Sequence, residues 1–203
     1  NDTIVEDKHF LKKLVEASEA NKKVGIVGPK IYYWPAGPTK DKQEDVLRRG
    51  GSTVMSLPSN GSGQIFARGA KIWFGGGKLN WLKTEGIHLI SESAMEVDFI
   101  TGCCLLIKKE VIDKIGLMPE EFFLYFEDSD WCLRALQAGY RCFYEPAAWI
   151  WHKVSSTTKE FSYGFIYYNT RNGLLMAWRH NGFLKRLIVL GLAIWIIIKQ
   201  SAK

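Results

Sequence analysis

The stretch FFLYFEDSDWCLRALQAGYRCFYEPAAWIWH, Phe122 to His152, decides how the rest of the chain is read. Its head is a cluster of carboxylates, Glu127, Asp128 and Asp130. Its tail is a histidine, His152, at the end of an apolar run. FFLYF reads as a strand-like approach to the acids. Asp130 to Ala138 reads as a helix that Gly139 stops in a left-handed conformation. RCFY returns as a strand, Pro146 ends it, and AAWIWH forms a second extended piece. A helix and return of this length brings the two ends of the stretch together. A carboxylate base and a metal-binding imidazole would then share one site.

The flanking sequence fits an α/β domain. Asp7 to Asn21 has the spacing of an amphipathic helix, with Phe10, Leu11, Leu14, Val15 and Ser18 on one face. Val24 to Pro29 is a short apolar run, as a buried strand requires. Residues 35–64 are rich in Pro, Gly, Ser and charge and read as loop. Gln64 to Leu82 reads as a hairpin turning at Gly75 to Gly77. No Lys-Ser/Thr follows these glycines, which argues against a phosphate-cradling loop. Met95 to Lys108 reads as a central strand interrupted at Thr101-Gly102, where glycine lets a ligand approach the backbone. Glu110 to Ile115 reads as a short helix before Gly116, and Ser162 to His180 as an aromatic-rich helix after a polar KVSSTT loop.

The 203 residues are 47% hydrophobic, which excludes a disordered chain, and suffice for one good core or one core plus an appendage. A formal net charge of +6 favours anionic partners. No basic run or RNA-binding signature accompanies it, so phosphorylated substrates and anionic membranes are expected before nucleic acid. Cys103, Cys104, Cys132 and Cys142 lack zinc-ligand spacing and read as reduced, buried thiols of a cytosolic protein. The opening NDTIVED has no initiator Met or signal peptide and reads as part of a longer chain.

Glu127-Asp128, Asp130, Arg134, Gly139, Pro146 and His152, in that order and spacing, strongly resemble the second half of the catalytic domain of family 2 inverting glycosyltransferases. The rhamnosyltransferase-like and galactofuranosyltransferase-like members come nearest. The resemblance implies the acceptor-side part of the GT-A fold over residues 1–160, with a helical tail over 161–203. It implies transfer of a sugar, rhamnose among the candidates, from a nucleotide-diphosphate sugar to a glycan or lipid-linked acceptor in cell-envelope polysaccharide synthesis. It also implies Asp128 as base, Glu127 and Asp130 as substrate-binding acids, and Thr101-Gly102 facing the transfer site. Asp2, read as the tail of an Asp-x-Asp-like motif, and His152 would be ligands of Mg²⁺ or Mn²⁺. The nucleotide-binding half would precede Asn1, so the chain alone would catalyse poorly.

Each assignment has a plainer rival. Carboxylates are favourable at any helix N-terminus, so the acids could merely decorate one. A lone His between apolar residues is more often a satisfied core residue. Arg171, in the family-like YYNTRN, could face the diphosphate or an acceptor phosphate, or form a surface salt bridge. The function itself has a rival in a non-catalytic glycan- or membrane-binding module.

The chain ends on Leu187 to Ile198, uncharged and almost wholly apolar, flanked by Lys185, Arg186 and Lys199. As a helix it is about 18 Å long, too short for a ~30 Å hydrocarbon core. It suits an interfacial position on an anionic membrane, which would place the protein peripherally at the inner face of the cell membrane. The competing expectation is a helix buried on the domain.

Overall fold

Two long strands lie side by side at the centre of the molecule. They are β2 (Val24–Tyr33) and β10 (Arg141–His152), paired in parallel from Arg141↔Val24 to His152↔Tyr33. The computed structural model describes residues 2–34, 59–60, 64–65, 70–80, 85–153 and 162–201. Short antiparallel strands flank the central pair. Along β10 run β1 (Thr3–Ile4) and β8 (Met95–Val97). Along β2 run β5 (Ile72–Phe74) and β9 (Leu106–Ile107). The fold is therefore mixed α/β with a mixed sheet of six strands. Two smaller hairpins pair β3 (Ser59–Asn60) with β4 (Gln64–Ile65) and β6 (Gly77–Asn80) with β7 (Glu85–His88).

Helices cover both faces, which is why the first eight residues of β2 are all buried. On one face α1 (Phe10–Glu19) brings Leu14 against Val24, Val27 and Ala148. On the other, α2 (Lys109–Ile115) and α3 (Glu127–Gln137) bring Val111, Cys132 and Ala135 against Ile26, Cys142, Tyr144 and Ile150. A Cβ on Gly28 would come within 2.1 Å of Ile100 Cγ2, so only glycine lets Ile100 seat on the strand. The chain then adds α4 (Tyr163–His180) and α5 (Phe183–Ser201).

Several expectations need correction. Pro146 does not end a strand: β10 is continuous, and a bulge between Glu145 and Trp149 absorbs Pro146, Ala147 and Ala148. The bulge suits a residue with no N–H to give. Ala147 N bonds the Glu145 carboxylate, and its carbonyl accepts from Lys13 Nζ. The glycines at 75–77 make no hairpin turn. They carry the chain out of β5 into β6, with Gly75 and Gly76 bonded to Leu89. Met95 to Lys108 is two short strands on opposite sides of the central pair, since the segment between them turns at Thr101-Gly102. FFLYF is not extended. A 3₁₀ turn at Glu120–Phe122 leads into an arch in which Phe123, Tyr125 and Phe126 have φ of 60°, 67° and 71°. Helix α3 accordingly begins at Glu127, three residues before the expected start, and Gly139 at φ 92° follows its end. Leu11, assigned to the buried face of α1, is exposed. Most of the loop expected at 35–64, and nearly all of the KVSSTT loop, lie outside the described residues.

Candidate active site

Asp2 and His152 meet at the carboxyl end of the parallel pair, the side on which open α/β sheets receive ligands. His152 is the last residue of β10. Helix α3 runs back before β10, so its N-terminus, with Glu127 and Asp128, returns toward that end. The antiparallel pairing Thr3↔His152 sets Asp2 alongside. The Asp2 carboxylate lies 3.3 Å from His152 Nε2.

Asp128 is held firmly. Its Oδ2 accepts from Gly102 N at 2.7 Å, and its Oδ1 from Ser129 N at 2.6 Å and Ser129 Oγ at 3.1 Å. The Thr101-Gly102 turn therefore grips the acid directly. Glu127 beside it has a buried Oε2 without a partner among the described residues. Burial, then the neighbouring charge of Asp128, pushes the Glu127 carboxyl above its ordinary pKa. Burial also pushes the Cys103 thiol up to about 12, and the charges of Asp2 and Asp128 both add to the rise.

Trp73 packs edge-on against two imidazoles, with centroids 4.5 Å from His152 and 4.8 Å from His88. His88 also meets Phe74 and Phe99, and the desolvation this packing brings lowers its pKa, partly opposed by a contact with the Trp73 carbonyl and by the Asp128 charge. Neither Trp73 nor His88 stands out along the chain. Only the crossover from β5 to the β6–β7 hairpin brings them to this end.

Two expected site residues bond to other parts of the protein. Asp130 is fully buried. Its Oδ2 takes Arg134 Nε at 2.9 Å, and its Oδ1 takes His180 Nε2 at 2.7 Å and Arg179 Nη1 at 3.3 Å. Gln137 Nε2 lies 3.1 Å from His180 Nδ1, so the network assigns the Nε2–H tautomer. Asp130 ties α3 to the end of α4. Arg171 Nη1 donates to the Glu121 carbonyl at 2.9 Å and to Asn172 Oδ1 at 2.6 Å. It braces the arch before the acids.

The arch is costly. A left-handed residue other than glycine loses about 1–2 kcal/mol, and three of them occur within four positions. Buried Asn172 sits beneath, its Nδ2 lying 2.8 Å, 2.6 Å and 2.9 Å from the carbonyls of Phe122, Leu124 and Tyr125. Asn172 closes the YYNTRN segment, directly after Arg171. A polar residue at the buried face of an aromatic helix was the available signal.

Asp2 and His152 fit part of a divalent-cation site. Among the described residues no group of three His, Cys, Asp or Glu gathers around one point. One carboxylate and one imidazole would leave the remaining positions of such an ion to water and ligand oxygens.

No protein-family model matches the chain. Over 104 residues it is 28% identical to N-acetylglucosaminyl-diphospho-decaprenol L-rhamnosyltransferase of Mycobacterium tuberculosis, covering 51% of this chain and 34% of that protein. It is 30% identical over 86 residues to galactofuranosyltransferase GlfT2 of the same organism, covering 42% of this chain and 13% of the relative. Over 39 residues it is 41% identical to the low-salt glycan biosynthesis hexosyltransferase Agl10 of Haloferax volcanii, covering 19% and 13%. By name, all three are glycosyltransferases. The similarity supports a transferase of glycan biosynthesis, and the chain spans about a third of the rhamnosyltransferase's length and less of the other two.

The tail is helical, and most of its described apolar side chains are exposed. Val189 packs inward and Arg186 stacks over Trp178 at 4.8 Å, while Phe183, Leu184, Leu187, Ile188, Leu190, Ile194 and Trp195 are exposed. Among the described residues no helix is long and apolar enough to cross a membrane.

Proposed function

We propose that the chain is the acceptor-side part of a family 2 inverting glycosyltransferase with a GT-A fold. It moves a sugar, rhamnose among the candidates, from a nucleotide-diphosphate donor to a glycan or lipid-linked acceptor of the cell envelope. The observation that carries this reading is the fixed carboxylate of Asp128, at the same sheet end as Asp2 and His152.

Asp128 takes the proton of the acceptor hydroxyl as its oxygen attacks the anomeric carbon from the face opposite the diphosphate. The carbon–oxygen bond to the diphosphate breaks, and the configuration inverts. Gly102 N–H and the Ser129 donors keep the carboxylate from rotating, so the acceptor meets it already aimed. Glu127, whose buried Oε2 has no partner among the described residues, would help position the acceptor or donor. Asp2 and His152 would hold a divalent cation, which supplies positive charge for the departing diphosphate when bound. The exposed apolar side chains of α5, with Lys185 and Arg186 beside them, would rest on the inner face of the cell membrane near a lipid-linked acceptor.

In the complete gene product, Asp128→Asn is expected to lower turnover at least ~10²-fold with donor affinity kept. Near-wild-type transfer by that variant would reject Asp128 as base. Absence of transfer in the wild-type protein, with glycan binding retained, would favour a non-catalytic module.

A further inference from the structure

We propose that Asn172 is a positioning residue, holding the arch before Glu127 in the one conformation that aims the Asp128 carboxylate. The proposal rests on the reading of Asp128 as base. Phe123, Tyr125 and Phe126 are bulky residues in the left-handed region, a conformation that surrounding structure must impose. The folded arch turns the carbonyls of Phe122, Leu124 and Tyr125 toward one buried point. Leu124 N–H also reaches the Phe122 carbonyl, at 2.7 Å, but among the described residues no such turn bond serves all three. The Asn172 amide does, with two N–H bonds to divide among three acceptors.

The orientation of this amide is not free. Arg171 Nη1 donates to its Oδ1, and the same Nη1 donates to the Glu121 carbonyl at the foot of the arch. The arch side chains lean on the same helix, Phe123 against Tyr168 and Tyr125 against Phe165, each at 5.3 Å between centroids. One turn beyond the arch, Asp130 is bound by Arg179 and His180 of α4. Helix α4 thus grips the acid-bearing turn on both sides of Asp128, and Asn172 is the polar centre of the first grip. Asn172 touches no reacting atom. It acts through backbone carbonyls on the residue that does.

The test compares Asn172→Asp and Asn172→Ser with a control, Asn169→Ala, since the Asn169 amide donates to the Phe165 carbonyl of its own helix. Aspartate presents an oxygen to three carbonyl oxygens at unchanged size, and serine keeps a single donor. Amide hydrogen exchange is followed at Gly102, whose N–H is protected by Asp128, and along β2 and β10. Both Asn172 variants are expected to lose protection at Gly102 while β2 and β10 keep theirs, and Asn169→Ala to match the wild type. In the complete gene product kcat should fall ~10²-fold for Asn172→Asp, as for a misplaced catalytic group, with donor KM unchanged. Serine should lie between. A folded Asn172→Asp, or a folded Asn172→Ser if aspartate prevents folding, with wild-type protection at Gly102 overturns the proposal. So does loss of protection throughout β2 and β10 in both variants, since Asn172 would then serve the whole fold. If the wild-type protein transfers no sugar, the proposed function fails, and exchange at Gly102 still decides the role of Asn172.

Discussion

Replacing Asp130 with asparagine separates a structural acid from a substrate-binding one. The side chain is 0% exposed and faces three donors, one on Oδ2 and two on Oδ1. Asparagine supplies one oxygen, so its amide must turn N–H bonds toward either Arg134 or the His180–Arg179 pair. One acceptor is lost, a donor meets a donor, and two guanidinium groups lose their shared countercharge. Removing one partner of a buried ion pair costs about 3–5 kcal/mol. The lower end applies because Arg134 and Arg179 are 26% and 34% exposed and keep other partners. Arg134 still bonds the carbonyls of Ile115 and Leu117, and Arg179 still pairs with Glu121. At a urea slope of ~2 kcal/mol per molar, a loss of about 3 kcal/mol lowers the unfolding midpoint by about 1.5 M. Nucleotide-sugar affinity of the folded variant should not change. A midpoint shift under about 0.5 M, worth ~1 kcal/mol on the same slope, combined with weakened donor binding, would refute the structural role and restore Asp130 to the substrate.

Glu127→Gln tests the strained carboxyl. Because its folded pKa is raised, the folded protein holds a proton that the unfolded chain has released, so the wild type loses stability as pH rises through that window. Glutamine does not titrate; its stability relative to wild type should increase from mildly acidic to neutral pH, and a pH-independent difference in urea midpoint would contradict the assignment. Gly28→Ala drives a Cβ into Ile100 and is expected to cost about 1–3 kcal/mol, with Ile100→Ala partly compensating in the double variant; simple additivity of the two losses would show that the contact is not the cause. Liposomes with anionic lipid should float the intact protein but not one lacking residues 183–203. Equal flotation of both would remove the tail from membrane binding.

Much of the fold was legible because local signals agreed with packing. The continuous apolar run from Val24 required a strand covered on both faces, and Gly139 stopped its helix as its φ allows. The failures share a cause: the deciding partner lay far away in sequence. Nothing within FFLYF shows that its carbonyls face an amide some fifty residues later. A continuous apolar run there fits extended backbone and a left-handed arch equally well. Pro146 marks the point where β10 cannot donate, but whether a strand ends or bulges depends on whether β2 continues past it. Among the acids, Asp128 and Asp130 look alike along the chain. Arg179 and His180 separate them, and they arrive only when α4 docks.

The position of Asn172 within α4 has a consequence of scale. Eight residues of helix carry the chain from Asn172 to His180, about 12 Å at ~1.5 Å per residue, before the exposed apolar tail begins at Phe183. The same helix therefore fixes the stand-off between the reacting acid and whatever surface the tail rests on. If that surface is a bilayer, α4 is a ruler. An acceptor anchored in the lipid would be sorted by the height of its hydroxyl before any side chain reads its sugars. A shorter or longer saccharide between anchor and hydroxyl would miss the acid, and inserting one helical turn between Asn172 and Phe183 would shift which length succeeds.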